Sequence, residues 1–200
     1  CIKNGACELQ AMAREYGIDV PNFKSSHGDV QHEPFDAHPF LSYDPGLCIQ
    51  CQRCISTCAK ATGRHALSLE RNGARVYVKV PFGEGWENSL CESCGNCAQA
   101  CPTGALTIKR RKNYREWEVK KVRTTCPHCA TGCQMDLYVK DGKIVDVQGA
   151  DGPSNHNLLC VKGRSGSFDF VDCDARIRYP LIKNKETGEF ERATWDEALN

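Results

Sequence analysis

The stretch from Cys48 to Cys101 opens with CIQCQRCISTC (48–58) and closes with CESCGNCAQAC (91–101), two copies of the spacing C-x2-C-x2-C-x3-C. Cys48, Cys51, Cys54 and Cys58 make the first copy. Cys91, Cys94, Cys97 and Cys101 make the second, each 43 positions after its counterpart, so the stretch is an internal repeat of a metal-binding unit. Three cysteines held two residues apart curl into a tight loop around one iron–sulfur cubane, each thiolate meeting a different iron. The fourth is expected at the start of the following helical turn, pointing away from that loop.

In two-cluster ferredoxins this fourth cysteine ligates the other cubane. The expected sets are therefore Cys48, Cys51 and Cys54 with Cys101, and Cys91, Cys94 and Cys97 with Cys58. Pro102 completes the bacterial run C-x2-C-x2-C-x3-C-P. Zinc prefers two cysteine pairs across a longer spacer, and a duplicated triplet with an outlying fourth fits it poorly. Disulfides need an oxidising compartment, and cysteines three apart in tight loops more often serve metal or redox chemistry.

Fifteen cysteines in 200 residues imply that metal–thiolate bonds supply much of the folding energy, because small cores suffice when clusters staple the loops. The length has room for one or two ordinary domains. With 26 Lys+Arg against 25 Asp+Glu the net charge is +1, which gives no overall electrostatic case for a nucleic-acid partner. No run approaches the roughly 18 apolar residues of a membrane span, and no secretory or twin-arginine signal opens the chain. No membrane span and a reducing, cytoplasmic setting are expected. Cys1 is not a natural start and Asn200 is an abrupt stop, so a fragment of a longer protein is expected.

Upstream of the repeat, Cys1 and Cys7 bracket CIKNGAC, and Leu9, Met12, Ala13 and Tyr16 fall at helical spacing before Gly17 ends the turn. Two thiolates cannot hold a cubane, and two ordinary thiols beside an amphipathic helix are one reading. Residues 18–47, with Pro21, Pro34, Pro39 and Pro45, read as an extended surface connector. Between the two cysteine copies a short helix is expected after Cys58 and through Thr62, then strands Ala66–Glu70 and Ala74–Val80 around an Asn72-Gly73 turn. Gly104–Ile108 repeats the strand pattern. From Lys109 to Arg123, eight basic residues stand against Glu116 and Glu118. A nucleic-acid patch competes there with a solvated linker or strand in which Trp117 and Val119 are partly buried, and the second is the commoner explanation.

A third constellation, Cys126, Cys129, Cys133 and Cys160, has the spacing C-x2-C-x3-C-x26-C. Met135–Lys140 and Lys143–Gly149 alternate on either side of Asp141-Gly142, a strong hairpin turn that would bring Cys160 back to the cysteine loop. Zinc is a fairer rival here than in the double repeat. Cys173 has no spacing partner and reads as a packed or free thiol. Thr194–Leu199 reads as the N-cap and first turns of a helix.

The segments CPHCATGC, LLCVKGR, RIRYPLIK and ERATWDEAL together resemble the cluster-binding domain of molybdopterin oxidoreductases. That resemblance implies a third 4Fe–4S cluster on Cys126, Cys129, Cys133 and Cys160. It also implies that Lys162, two residues after the last cysteine, lies between this cluster and a pterin ring; the alternative is a surface lysine. GACELQ with Cys1 and Cys7 resembles the end of H-x3-C-x2-C-x5-C, the His-ligated cluster motif of iron hydrogenases, the large subunit of complex I and NAD-linked formate dehydrogenases. Part of a fourth cluster site is then implied, with its histidine and first cysteine before residue 1, and no spacing selects His27, His32 or His38 as a substitute.

In motif order the chain most resembles the catalytic subunit of cytoplasmic formate dehydrogenases linked to NAD(P) or ferredoxin. Iron hydrogenases share the first two parts, and complex I normally has one four-cysteine site where this chain has the full double repeat. The resemblance implies reversible formate oxidation to carbon dioxide at a molybdenum or tungsten centre on bis-molybdopterin guanine dinucleotide. That centre would lie in the rest of the catalytic subunit, beyond Asn200, leaving no catalytic residue in this chain. Electrons would pass the third cluster and Lys162, then the two ferredoxin-type cubanes, to a diaphorase-like or ferredoxin-type electron-transfer subunit. A stand-alone electron carrier, or the same portion of another molybdopterin oxidoreductase or of a hydrogenase or complex I relative, are the other readings. The expected fold is α+β: 1–40, the tail of a His-cluster domain and a connector; 41–114, a two-cluster ferredoxin-like domain; 115–178, a β-rich molybdopterin-oxidoreductase 4Fe–4S domain; 179–200, the start of a pterin-binding region.

Overall fold

The computed structural model describes residues 3–18, 38–73, 75–79, 85–109, 114–166 and 168–200. Cys1, His27, His32 and the connector over 19–37 lie outside the described residues. After Cys7 the chain forms α1 (Glu8–Glu15), closed by Gly17 in the left-handed region at φ 64°. The helix is as expected, but its apolar positions are open: Met12 is 56 % and Tyr16 72 % exposed.

The cysteine repeat is built from β1 (Leu41–Tyr43), α2 (Arg53–Lys60), the hairpin β2 (Ser68–Asn72) and β3 (Arg75–Lys79), α3 (Asn96–Ala100) and β4 (Leu106–Ile108). β1 pairs antiparallel with β4, Leu41 opposite Ile108, so the two ends of the repeat close on each other. The approach to Cys48 therefore carries a strand where only a connector was expected; three residues are too few for alternation to announce one. α2 also starts earlier than the helix expected after Cys58. Gln52, at φ 61°, turns the loop into the helix, so Cys54 and Cys58 both lie on α2. Asn72, expected in the turn, still belongs to β2 and pairs with Arg75, and Gly73 supplies the positive φ of 62° that begins the reversal.

The core of this part is small and partly sulfur. Leu41, Tyr43, Leu67, Val78, Trp86, Ala98, Ala105 and Leu106 pack with Cys54 and Cys97, and Cys48, Cys58, Cys91 and Cys101 border them. The cysteine side chains occupy space that aliphatic residues fill in an ordinary domain.

β5 (Lys120–Thr125), β6 (Gln134–Lys140) and β7 (Lys143–Gly149) form an antiparallel sheet in the order β5-β6-β7. The β6–β7 turn is Asp141-Gly142 with φ of 51° and 75°, the two positive values a tight two-residue hairpin requires. Residues 110–113 of the basic run lie outside the described residues; its end, residues 120–123, lies in the exposed β5, where Arg123 pairs with Asp136 at 2.5 Å and Lys121 with Glu116, while Lys140 on β6 pairs with Glu118 at 2.9 Å. Trp117, expected to be partly buried, is 69 % exposed, although its ring lies against Gly5, where a Cβ would come within 2.6 Å. Val119 is half-buried. α4 (Val161–Ser165) follows Cys160.

Residues 1–167 form one compact unit and 168–200 a second. The second holds the hairpin β8 (Leu181–Lys183) and β9 (Phe190–Arg192) and the short α5 (Trp195–Leu199). α5 begins at the expected Thr194 cap: its hydroxyl accepts from Glu197 N, and the Glu197 carboxylate accepts from Thr194 N at 2.8 Å. Cys173 is a half-buried free thiol in this unit. Among the described residues no helix is long and apolar enough to cross a membrane.

Candidate iron–sulfur sites

The fold brings sulfurs of each expected set near one another. Burial pushes the Cys54 thiol up to about 12, and the neighbouring sulfurs that add to this are Cys101, Cys48 and Cys51. That is the first triplet with the fourth cysteine of the second. Burial likewise holds Cys97 well above 9, with Cys94, Cys54, Cys91 and Cys58 adding to it, and Cys91 is raised by burial and by Cys94 and Cys58. The two helices set where the fourth cysteines stand. Cys58 lies four residues, about 6 Å of rise, beyond Cys54 on α2, and Cys101 caps the C-terminus of α3. The fourth cysteine is thus at the far end of a helix, not at its start.

N–H groups point at several of these sulfurs. Ala66 N donates to Cys58 Sγ at 3.3 Å and Ser93 N to Cys91 Sγ at 3.4 Å. His38, 2 % exposed, accepts from Phe40 N and Leu41 N at its Nδ1, both at 3.0 Å. Its proton therefore resides on Nε2, which stands 3.5 Å from both Cys91 Sγ and Ser93 Oγ. Burial lowers the His38 pKa, with Lys109 adding to the effect. His38 is thus a neutral donor at the second set, with its Nδ1 already engaged by the backbone.

In the third set, Cys133 is raised by burial and by Cys126, Cys129 and Cys160, so the hairpin does return Cys160 to the loop. Cys126 N donates to Cys133 O at 2.8 Å, closing that loop. Cys129 is exposed and lowered by the Thr131 hydroxyl and amide and then by the charge of Lys162. Lys162 is itself exposed beside these sulfurs.

Three joints link the segments that carry the sets. Next to Cys7, Glu8 N donates to Pro102 O at 3.0 Å and the Glu8 carboxylate takes both oxygens to Arg53 at 2.7 and 2.8 Å, which fastens this segment to the first set. Cys54 and Cys97 join the first and second sets. Asn96, beside Cys97, exchanges two 3.0 Å hydrogen bonds with the backbone of Leu159, beside Cys160. Arg164 and Gln99 extend that last joint: Arg164 donates to Cys94 O, Asn96 Oδ1 and Gln99 Oε1, and Gln99 exchanges hydrogen bonds with Gly149. The reading from sequence missed His38 as a donor, and Asn96, Gln99 and Arg164 altogether. A polar residue between two cysteines of CGNC and an arginine two positions beyond Lys162 were the available signals.

The donor chemistry fits iron–sulfur clusters. Sulfurs that burial keeps from ionising carry charge only when a cation shares it, and each set offers four thiols and no competing carboxylate in the cysteine loops except Glu92. The second set also lines a cavity shared with Trp86, Leu41 and Ala66. The 14 described cysteines are free thiols. Among the described residues no three His, Cys, Asp or Glu side chains converge on a single ion position. Thiolates that each meet a different iron stand farther apart than four on one ion.

Two family models match the two halves of this arrangement: the ferredoxin-like domain of NADH-quinone oxidoreductase subunit 3 over residues 39–107, and the Fe4S4 domain of molybdopterin oxidoreductases over 119–169. The chain is a mixed α+β iron–sulfur-binding module with small antiparallel sheets and short helices. Residues 39–107 and 119–169 are thus each similar to an iron–sulfur domain of oxidoreductases. It is 35 % identical, over 99 % of its length, to an NADH-quinone oxidoreductase chain of Rhizobium meliloti, covering 23 % of that protein. A putative formate dehydrogenase of Staphylococcus aureus is 30 % identical over 98 % of the chain, which covers 24 % of it. The alpha subunit of an NADPH-Fe(3+) oxidoreductase of Geobacter sulfurreducens is 30 % identical over the whole chain, which covers 22 % of it. The crystal structure of an NAD+-reducing NiFe hydrogenase in the H2-reduced state aligns with a TM-score of 0.48 and 30 % identity, over 55 % of this chain and 46 % of that one. The chain spans about a quarter of the length of the curated relatives it matches.

Proposed function

We propose that the chain is a linear electron relay of a larger oxidoreductase. Cys48, Cys51, Cys54 and Cys101 hold one 4Fe–4S cluster, Cys58, Cys91, Cys94 and Cys97 a second, and Cys126, Cys129, Cys133 and Cys160 a third. Cys7, with Cys1, contributes to a fourth site at the far end. A bound 4Fe–4S cluster accepts and releases one electron with little movement of its ligands. The observation that supports the reading is the series of joints that link the Cys7 segment to the first set, the first set to the second and the second to the third. Asn96 and Leu159 provide a short bonded route between Cys97 and Cys160, and Ala66 N, Ser93 N and His38 Nε2 donate toward sulfur that would carry negative charge. Lys162, exposed beside Cys129, stands where an electron would enter or leave the third site.

For the host enzyme the observations pull in two directions. The fused molybdopterin-type domain, the complete double repeat and the Staphylococcus relative support a formate dehydrogenase working at a pterin-bound molybdenum or tungsten centre, with a diaphorase-like or ferredoxin-type partner. The 35 % identity to an NADH-quinone oxidoreductase chain and the subunit 3 family match support a complex I-type relay. Iron, molybdenum and tungsten counted per chain in the purified native protein, with formate-dependent and NADH-dependent reduction followed in the cluster absorbance, separate them. About twelve iron atoms in these three sites are expected; zinc in their place would overturn the relay, and iron without pterin metal or formate activity would overturn the formate reading alone.

A further inference from the structure

Arg164 is 4 % exposed, four residues beyond Cys160, and its three hydrogen bonds all go to neutral oxygens: Cys94 O at 2.8 Å, Asn96 Oδ1 at 2.8 Å and Gln99 Oε1 at 2.7 Å. A buried guanidinium is costly unless opposite charge lies close. Burial does push its pKa down; the groups acting the other way are Asp146, then the sulfurs of Cys94, Cys97 and Cys160. Those sulfurs come from two different sets. Gly95 makes room for the side chain: at φ 72°, a Cβ there would stand 2.5 Å from Arg164 Cδ. The loop of the second set is therefore shaped around a cation delivered by the helix of the third.

We propose that Arg164 is the shared counter-cation of the second and third clusters, raising the reduction potential of both while leaving the first unchanged. The inference rests on the cluster assignment above. Four thiolates on four irons leave each cluster with net negative charge, and each added electron makes it more negative, so a fixed positive charge in a water-poor seam favours the reduced form on either side. The transfer it assists is balanced within the pair: one cluster loses the electron that the other gains, and no proton or further reactant is required. Arg164 acts through the clusters and is a positioning and tuning residue, not a catalytic one.

The test is a redox titration followed by electron paramagnetic resonance on the native protein purified anaerobically, with signals assigned by Cys58→Ala and Cys133→Ala. In Arg164→Gln the polar contacts are partly kept and the charge is lost. At a fixed ambient potential the reduced-to-oxidised ratio of the second and third clusters should fall on the order of tenfold, with the first unchanged. Arg164→Lys, which keeps the charge and loses the planar fork, should restore most of the ratio. Equal behaviour of the Lys and Gln variants, or unchanged ratios in a fully iron-loaded Gln variant, would overturn the proposal and return Arg164 to a structural strut. Should Arg164→Gln not retain iron, Gln99→Glu places a carboxylate on the guanidinium and neutralises it in place. It should lower the same two ratios, and unchanged ratios there sink the idea. Absence of iron in the unaltered protein would instead remove the cluster assignment itself.

Discussion

At His38 two backbone amides occupy Nδ1 and leave Nε2–H facing Cys91 Sγ and Ser93 Oγ at 3.5 Å. An N–H directed at a cluster sulfur stabilises the reduced form, so His38→Phe should lower the potential of the second cluster and leave the third where it is. Redox titration of both signals checks this, and a shift common to all clusters would mean general loosening instead. The exchange of fourth cysteines is also a single-residue matter. Cys58→Ala should remove the second cluster, roughly four of about twelve iron atoms. Adding Cys94→Ala should then remove no more, whereas adding Cys51→Ala should remove about four further. Iron analysis of the two double variants decides it, and the reverse pattern would assign Cys58 to its own triplet.

Among the elements, the loop between β7 and α4 carries Cys160 back to the cysteine loop, and Asn155 organises it. This side chain is 6 % exposed; its Nδ2 donates to the carbonyls of Gln134, Ala150 and Leu158 at 2.9–3.1 Å, and its Oδ1 accepts from Gln134 N at 2.9 Å. Asn155→Ala leaves several buried backbone groups unanswered, each costing about 1–3 kcal/mol. The expected result is selective loss of the third cluster in mild denaturant, seen as an early step in the visible absorbance; a single unshifted transition would contradict it. At the other end of the same hairpin, Gly142 at φ 75° meets open space, so Gly142→Ala carries only the conformational cost of about 1–2 kcal/mol. A denaturant midpoint below that of the parent, without change in iron content, is the outcome to look for. The hairpin was readable beforehand because Asp-Gly between alternating residues needs no tertiary help. β1 and α2 were not, since a three-residue strand has no period and the start of α2 is set by the left-handed turn at Gln52.

Across the whole molecule, sulfur sits inside the only core that residues 38–109 build among the described residues: Cys54 and Cys97 are buried with Leu41, Leu106 and Trp86. Removing iron should therefore cost structure as well as colour. Chelation under reducing conditions is expected to broaden the unfolding of residues 1–167 and raise proteolysis there. Full retention of secondary structure by circular dichroism would show that the apolar core suffices alone. The chain by itself determined the α+β class and singled out three groups of four cysteines as candidates, because the spacing of thiols along a backbone of fixed geometry limits which can surround one cluster. It did not determine the neighbours of those groups. That Asn96 meets Leu159, that Arg164 reaches Cys94 O and Asn96, and that His38 faces Cys91 depend on segments more than fifty residues apart being folded against each other, and such contacts leave no periodicity for the sequence to carry.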